Sequence, residues 1–529
     1  MMIQWFGSRV PRKGHDLGQR GGAPCPRLLA GTLIVLLGVA FGRVPAIGAA
    51  AAPEQIIVAV PNDIISLDPE AQAEFSTRMI MEGAIEENPV RLSSAGEYQP
   101  LLATAWRIVD PSTWEFTIRQ GVRFHDGEPL TAETMKFSID RCLNPANKCP
   151  RRGQLVEIKE AVVLNSSTIR VITQLPSAAL PTALTYLPIV PMKALQADPQ
   201  LYGKTSVGTG PMRFVEWVKG QRLVTERFDG YWDKKSAFKR IVYRPIPEAV
   251  TRVAALRSGE VDMISNLDPE MGSIVERTPG LRIDRRGMRM IFIALDATGA
   301  NNPALADKRV RQAMNYAVDK NVLIKNILGG NAFANVGAMF PINPGFDRTL
   351  KPYPYDPEQA KRLLVAAGYS NGFDVTLTFA PGIEGSLKTA EIVQSIASDL
   401  AKVGIRAQIS QVEPAAHWER YYAKRLQMFV GTWGSSPEAG LQFRTLLHSK
   451  ARGLYYRDPQ ADKLIDAYFS AMDPNARAES GRLLHRYVHE EAPFIFLYHQ
   501  YQIFGLRSNI TWAPRPVEFI YVSDLDWKP

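Results

Sequence analysis

Histidines, nucleophile motifs and paired carboxylates are where chemistry would first declare itself in this chain of 529 residues. There are seven histidines. His485 and His489 stand four apart on a predicted helix, a spacing that lets two imidazoles share a metal. The residues run His-Arg-Tyr-Val-His-Glu-Glu rather than HExxH, so the metalloprotease motif is absent. No third ligand is evident, and an exposed helix pair is the plainer expectation. No GxSxG elbow and no Walker A sequence occurs. Val207-Gly208-Thr209-Gly210-Pro211 resembles part of a Gly-rich loop, but Pro211 and the missing third glycine argue against a dinucleotide site. Acidic residues are plentiful, yet nothing marks one pair for glycoside hydrolysis.

Two tryptophans are more suggestive. Trp418 lies in Ala416-His-Trp-Glu-Arg-Tyr-Tyr422, and Trp433 in Phe429-Val-Gly-Thr-Trp-Gly-Ser-Ser436. The second segment passes from an apolar strand into a Gly/Ser loop. Aromatic side chains at a strand end can wall a ligand pocket, and they can equally pack a core.

The elements that must position them follow from periodicity. Ile56–Val60 and Met290–Leu295 read as buried strands. Trp106–Val109 and Thr113–Ile118 alternate around Asp110-Pro111-Ser112 and predict a hairpin. Thr131 is suited to cap a helix running from Ala132 to about Cys142. After Asp307, apolar residues recur at helical spacing through Val318. Asp356-Pro357 opens a helix that Gly368 closes. Phe373–Phe379, a helix through Val403 and Ile405–Ile409 form a predicted βαβ unit with parallel strands. A last helix is expected from about Asn475 to Glu490, followed by a strand at Phe494–Tyr498. Two α/β regions in one chain leave a cleft where they meet, and such clefts are preferred ligand sites.

The first 52 residues have a composition of their own. A basic stretch ends at Arg27, Leu28–Phe41 is apolar, and small residues lead to Pro53. This order describes a secretory signal peptide over residues 1–52, since the apolar run is short for a membrane span. The net charge of +9 is concentrated there, because residues 1–50 hold six basic residues and one acid. The rest is near neutral for its size, which gives no reason to expect nucleic acid as a partner. No cysteine stands in the small-residue stretch directly after the apolar run, so a lipoprotein attachment site is not expected. An export signal implies an oxidising compartment, where Cys142 and Cys149 are expected to pair. Loop-closure entropy gives roughly 2.5 kcal/mol for so small a ring.

Six motifs, in order, resemble the extracellular solute-binding proteins that serve peptide, nickel and related ABC importers. They are Ser66-Leu-Asp-Pro69; Phe116-Thr-Ile-Arg-Gln-Gly-Val-Arg-Phe-His-Asp-Gly-Glu-Pro-Leu-Thr-Ala132; Val207-Gly-Thr-Gly-Pro211 with Tyr231-Trp232; Pro245-Ile-Pro-Glu248 with Leu256-Arg-Ser-Gly-Glu-Val-Asp262; Val310-Arg-Gln-Ala-Met-Asn-Tyr-Ala-Val-Asp-Lys320; and Ala366-Ala-Gly-Tyr369. His125-Asp126-Gly127 within them reads as a turn and the Val310 stretch as a core helix.

The resemblance implies an α/β, bilobal type 2 periplasmic-binding-protein fold (cluster C) with an inserted domain. The first lobe would be discontinuous, 53–79, 206–287 and 505–529, with 80–205 inserted and 288–504 as the other lobe. The implied function is periplasmic capture of a small solute or peptide, as a monomer, for delivery to an ABC permease and ATPase complex. No catalysis, cofactor or metal is implied. The candidate ligand contacts are Trp418, Trp433, Ser435 and Ser436, with Glu438 and His499 beside them. In peptide-binding members an Asp three residues after the matching Trp pairs with the peptide α-amino group. Here that position is Ser436, and a buried ammonium without a counter-charge is costly. Peptide is therefore not the implied ligand by default. An exported hydrolase and a ligand sensor or chaperone on the same fold are the alternative readings.

Overall fold

The computed structural model describes residues 53–71, 75–93, 96–155, 157–381, 385–451, 455–513, 515 and 519–528. The predicted signal segment 1–52 lies outside the described residues.

Among the described residues the largest sheet has eleven strands. Its order runs Ile405–Gln411, Phe373–Phe379, Met428–Gly434, Leu281–Leu295, Phe494–Arg507, Met263–Ile264, Gln55–Val60, Arg240–Pro245, Arg222–Arg227 and Met212–Val218. Ala332–Ala334 also pairs with Phe494–Arg507. The centre of the sheet is the antiparallel pair Leu281–Leu295 and Phe494–Arg507. Both strands are much longer than their apolar cores suggest, since polar residues continue the ladder beyond Met290 and Tyr498. Alternation sends side chains to opposite faces. Ile291, Ile293 and Leu295 enter one apolar core, while Met290, Phe292 and Ala294 enter another. The pair carries two irregularities, one between Arg286 and Arg289 and one between Ile291 and Phe292. At the first, Gly287 has φ +57°, a backbone state that costs glycine little.

The βαβ unit forms as predicted. Phe373–Phe379 and Ile405–Gln411 pair in parallel, joined by the helix Thr389–Ala401. Asp307 and Asp356 both cap the helices they precede, accepting bonds from Arg309 N and Gln359 N. These caps satisfy N–H groups that have no partner within the helix.

A separate four-stranded antiparallel sheet comprises Ala103–Asp110, Thr113–Ile118, Thr168–Thr173 and Ile158–Asn165. Its core includes Trp114, Phe116, Phe124, Ile139, Ile169 and Val171. The helix Ala132–Leu143 packs beside it, opened by a reciprocal cap between Thr131 and Thr134. Cys142 and Cys149 are bonded at its end, with Cα atoms 5.1 Å apart.

Several motif residues hold segments together. A Cβ on Gly208 would sit 2.0 Å from the Ile85 carbonyl oxygen, and one on Gly210 would sit 2.3 Å from that of Ala84. Only glycine permits this approach. Gly208 N–H donates to His125 Nδ1 (3.3 Å), and His125 Nε2–H donates to the Gly210 carbonyl (2.9 Å). Thr209, Tyr231 and Trp232 all donate to the buried carboxylate of Glu87.

Candidate functional site

A cavity of about 1050 Å³ lies between the segment Pro145–Leu175 and an aromatic wall from the C-terminal half of the chain. That volume suits a drug-sized or larger organic solute. A smaller depression of about 460 Å³, beside Asp374–Thr376 and Arg406–Gln408, gathers no aromatic residue.

The wall is built by two neighbouring elements. The helix Pro414–Tyr422 brings His417, Trp418, Tyr421 and Tyr422 to the cavity. Residues at i and i+4 share a helix face, so the His-Trp-x-x-Tyr-Tyr spacing makes one aromatic surface. Trp418 and Tyr422 rings stack at 6.1 Å, and Trp418 meets Tyr421 edge-on at 5.5 Å. The strand Met428–Gly434 contributes Phe429, Gly431 and Trp433. Gly431 pairs with Phe292, whose ring a Cβ at position 431 would meet at 2.4 Å. The missing side chain lets Phe292 reach the cavity. Trp433 is half-buried at the strand end.

The opposite wall is more polar. Lys148, Arg152, Gln154, Glu157 and Gln174 line it with Cys149 and Leu175. Glu157 is 7% exposed and accepts from the Ser177 hydroxyl. Burial pushes its carboxyl up to about 7, against the lowering effect of Ser177 and Arg444. Burial also holds His417 down to about 4, so its ring is neutral near pH 7. Arg444 enters from the helix Gly440–Leu446, its guanidinium 3.8 Å from the Phe469 ring centroid.

The cavity brings together two of the sequence-predicted contacts, Trp418 and Trp433. The other four do not line it. Ser435 N–H donates to the Met288 carbonyl (2.7 Å), which fixes the turn after Trp433. Ser436 is buried, its hydroxyl donating to the Glu438 carbonyl (3.0 Å). Glu438 is 3% exposed, accepts from Gly440 N–H (2.9 Å) and pairs with Arg477 (3.0 Å). His499 shares a strand row with Met290 and Trp433 but is buried between Phe333 and Phe340. Its Nε2 lies 3.1 Å from Asn335 Oδ1.

The expected exposed pair His485 and His489 is corrected. His485 is fully buried against Phe346, its Nδ1 accepting from Asp347 N–H at 3.1 Å. His489 is half-buried, bonded to the Val336 carbonyl (2.7 Å) and stacked on Tyr353. The segment Val336–Asp347 docks over this helix face, which helical spacing alone does not reveal. Among the described residues no group of three or more His, Cys, Asp and Glu side chains is placed to hold a metal.

Sequence reasoning missed Glu157, Arg444, Phe292 and Tyr455 as cavity residues. The Tyr421-Tyr422 pair beside Trp418 was the available signal for the wall. Nothing local marks Glu157.

Residues 97–453 match the bacterial extracellular solute-binding proteins, family 5 (Middle). The glutathione-binding protein GsiB of Salmonella typhi is 26% identical over 483 residues, covering 87% of this chain and 92% of its own. The ABC transporter-associated periplasmic binding protein DppA of Helicobacter pylori, solved with the peptide STSA, is 25% identical with TM-score 0.78, covering 90% of this chain and 98% of its own. AgaA of A. tumefaciens R10, solved with agropinic acid, is 23% identical with TM-score 0.77 over 90% of this chain and 99% of its own, and shares the fold. The family match spans more than half of the chain, and the protein belongs to the bacterial extracellular solute-binding proteins of family 5.

Proposed function

We propose that this protein is the solute-capturing component of an ABC importer. It encloses a small organic or peptide-like molecule between two lobes and delivers it to a membrane permease and its ATPase. The observation that carries this reading is the cavity of about 1050 Å³ walled by Trp418, Tyr421, Phe429 and Trp433 on one side and by Pro145–Leu175 on the other. Aromatic faces supply apolar contact with little loss of side-chain freedom, and polar groups opposite them orient the solute. Capture and release need no covalent step.

The division into lobes is part of the proposal, with 53–79, 206–287 and 505–529 forming one, 80–205 inserted, and 288–504 forming the other. The register shift between Arg286 and Arg289 supports it, since it alters the central strand pairing where the proposed first lobe ends. The segment 1–52 acts as an export signal that sends the mature chain to the periplasm, and capture between two lobes of one chain needs no second copy. The disulfide Cys142–Cys149 suits that compartment.

Native mass spectrometry of the mature protein, purified without denaturation, tests the function. A discrete mass that is removed by partial unfolding and restored by adding back the released solute is expected. Conversion of the released solute into a different product would overturn the reading in favour of an enzyme.

A further inference from the structure

We propose that the solute is a carboxylate-bearing molecule with an apolar or aromatic body and no free ammonium group. The inference rests on the cavity being the solute site and assigns the chemical class that fits it.

An ammonium group on an enclosed solute would need a carboxylate to neutralise it. Glu438 is the carboxylate nearest in sequence to Trp433, and both its oxygens are engaged, one by Gly440 N–H and one by Arg477. Arg477 is itself largely buried, with 14% of its side chain exposed. Diverting Glu438 to a ligand would leave that guanidinium unpaired, which is strongly unfavourable. Ser436 offers no substitute, since its hydroxyl is bonded within its own turn.

Two carboxylates line the cavity. Asp466 lies 3.4 Å from Arg444 and 3.5 Å from His448. Glu157 is buried and accepts from Ser177, and burial favours its neutral form. A neutral carboxyl bonds an amide or hydroxyl well, but is a poor partner for an ammonium.

The cations are in surplus. Lys148, Arg152, Arg444 and Lys450 all line the cavity. Lys148 and Lys450 form no ion pair among the described residues, and they draw anions toward the mouth. Arg444 stacks on Phe469 and donates one long hydrogen bond, to Asp466 at 3.4 Å. Most of its five N–H donors remain for a bidentate carboxylate. The aromatic wall of Trp418, Tyr421, Tyr455 and Trp433 then faces whatever body the anionic group carries.

The test uses one tripeptide, Leu-Phe-Leu, in four end states as probes for calorimetric titration of the full mature protein stripped of solute. The probes are the zwitterion, the N-acetylated anion, the C-amidated cation and the doubly capped neutral form. The N-acetylated anion is expected to bind at least tenfold tighter than the C-amidated cation. Arg444→Gln should abolish that preference, and Arg444→Lys should keep part of it. Equal or tighter binding of the cation overturns the proposal, as does a preference unchanged in Arg444→Gln. Binding of none of the four also counts against it. In that case native mass spectrometry separates the two readings, because a removable solute leaves capture standing and rejects only the assigned class.

Discussion

Arg477 lies behind the Trp433 loop and joins it to the segment opposite, donating from one nitrogen to Glu438 Oε2 at 3.0 Å and to the Ala178 carbonyl at 3.3 Å. Two further bonds reach the Ala471 carbonyl, both 2.9 Å. A backbone bond from Ala178 N–H to the Phe469 carbonyl lies alongside (3.2 Å), and the neighbouring Ser177 bonds Glu157 in the cavity. The two walls of the site are thus connected by one polar chain from Glu157 to Ser436.

Arg477→Met removes the cation at its centre. Glu438 is then buried without its partner, so the variant should lose about 3 kcal/mol of unfolding free energy. Denaturant unfolding measures the loss. The double variant Arg477→Met/Glu438→Gln should recover much of it, since the uncompensated charge is gone. Equal instability of both variants would mean that packing, and not charge, sets the cost.

Stability should fall between pH 6.5 and 8. Burial raises the carboxyls of Glu70 and Glu86 to about 8, and those of Glu87 and Glu157 to about 7. Each stays protonated in the folded chain where the unfolded chain has already ionised. Its contribution is present in acid and is lost as pH rises through the folded value. Lys320, lowered to about 7 by burial, opposes this above pH 7 as a single group. His125 and His417, held near 4, and His485 and His499, held near 3, act on the other side, losing stability as pH drops below 6.5. Calorimetric Tm against pH checks the slope. Glu86 has both oxygens buried without a hydrogen-bond partner, so Glu86→Gln should flatten it.

Thiol titration of the unfolded, unreduced protein should find neither Cys142 nor Cys149 free. The bond closes a ring with sequence separation 7, and replacing both residues by serine should cost roughly 2.5 kcal/mol by loop-closure entropy.

Gly208→Ala places a methyl 2.0 Å from a backbone oxygen that cannot rotate away. Overpacking of this kind costs about 1–3 kcal/mol. The expected result is a lower denaturant midpoint with an unchanged m-value.

Much of the local structure is legible in the sequence because it is encoded locally. Thr131, Asp307 and Asp356 announce helix starts through their side-chain oxygens, and the alternation around Asp110-Pro111-Ser112 announces the hairpin. The pairing of Leu281–Leu295 with Phe494–Arg507 is different, because it joins segments some two hundred residues apart. Its first irregularity has a local mark in Gly287, at φ +57°, while the second, between Ile291 and Phe292, follows from the long-range pairing. The candidate site divides in the same way. Trp433 was visible as an aromatic at a strand-to-loop transition, and Trp418 as one within the aromatic-rich Ala416–Tyr422 segment. Glu157 and Arg444 were not, because their place depends on how the segment leading into the four-stranded sheet meets a helix distant in sequence. Ser436 and Glu438 lie in the expected loop, yet their polar groups turn inward to hold it.

The most direct test of solute capture is calorimetric titration of the stripped protein with the solute released from it, comparing wild type with Trp433→Ala. Trp433 contributes an aromatic face to the cavity, and losing it should weaken binding at least tenfold, about 1.4 kcal/mol, while Trp433→Phe retains most of the affinity. Unchanged affinity in Trp433→Ala, with both proteins equally folded, would place the solute elsewhere and contradict the account.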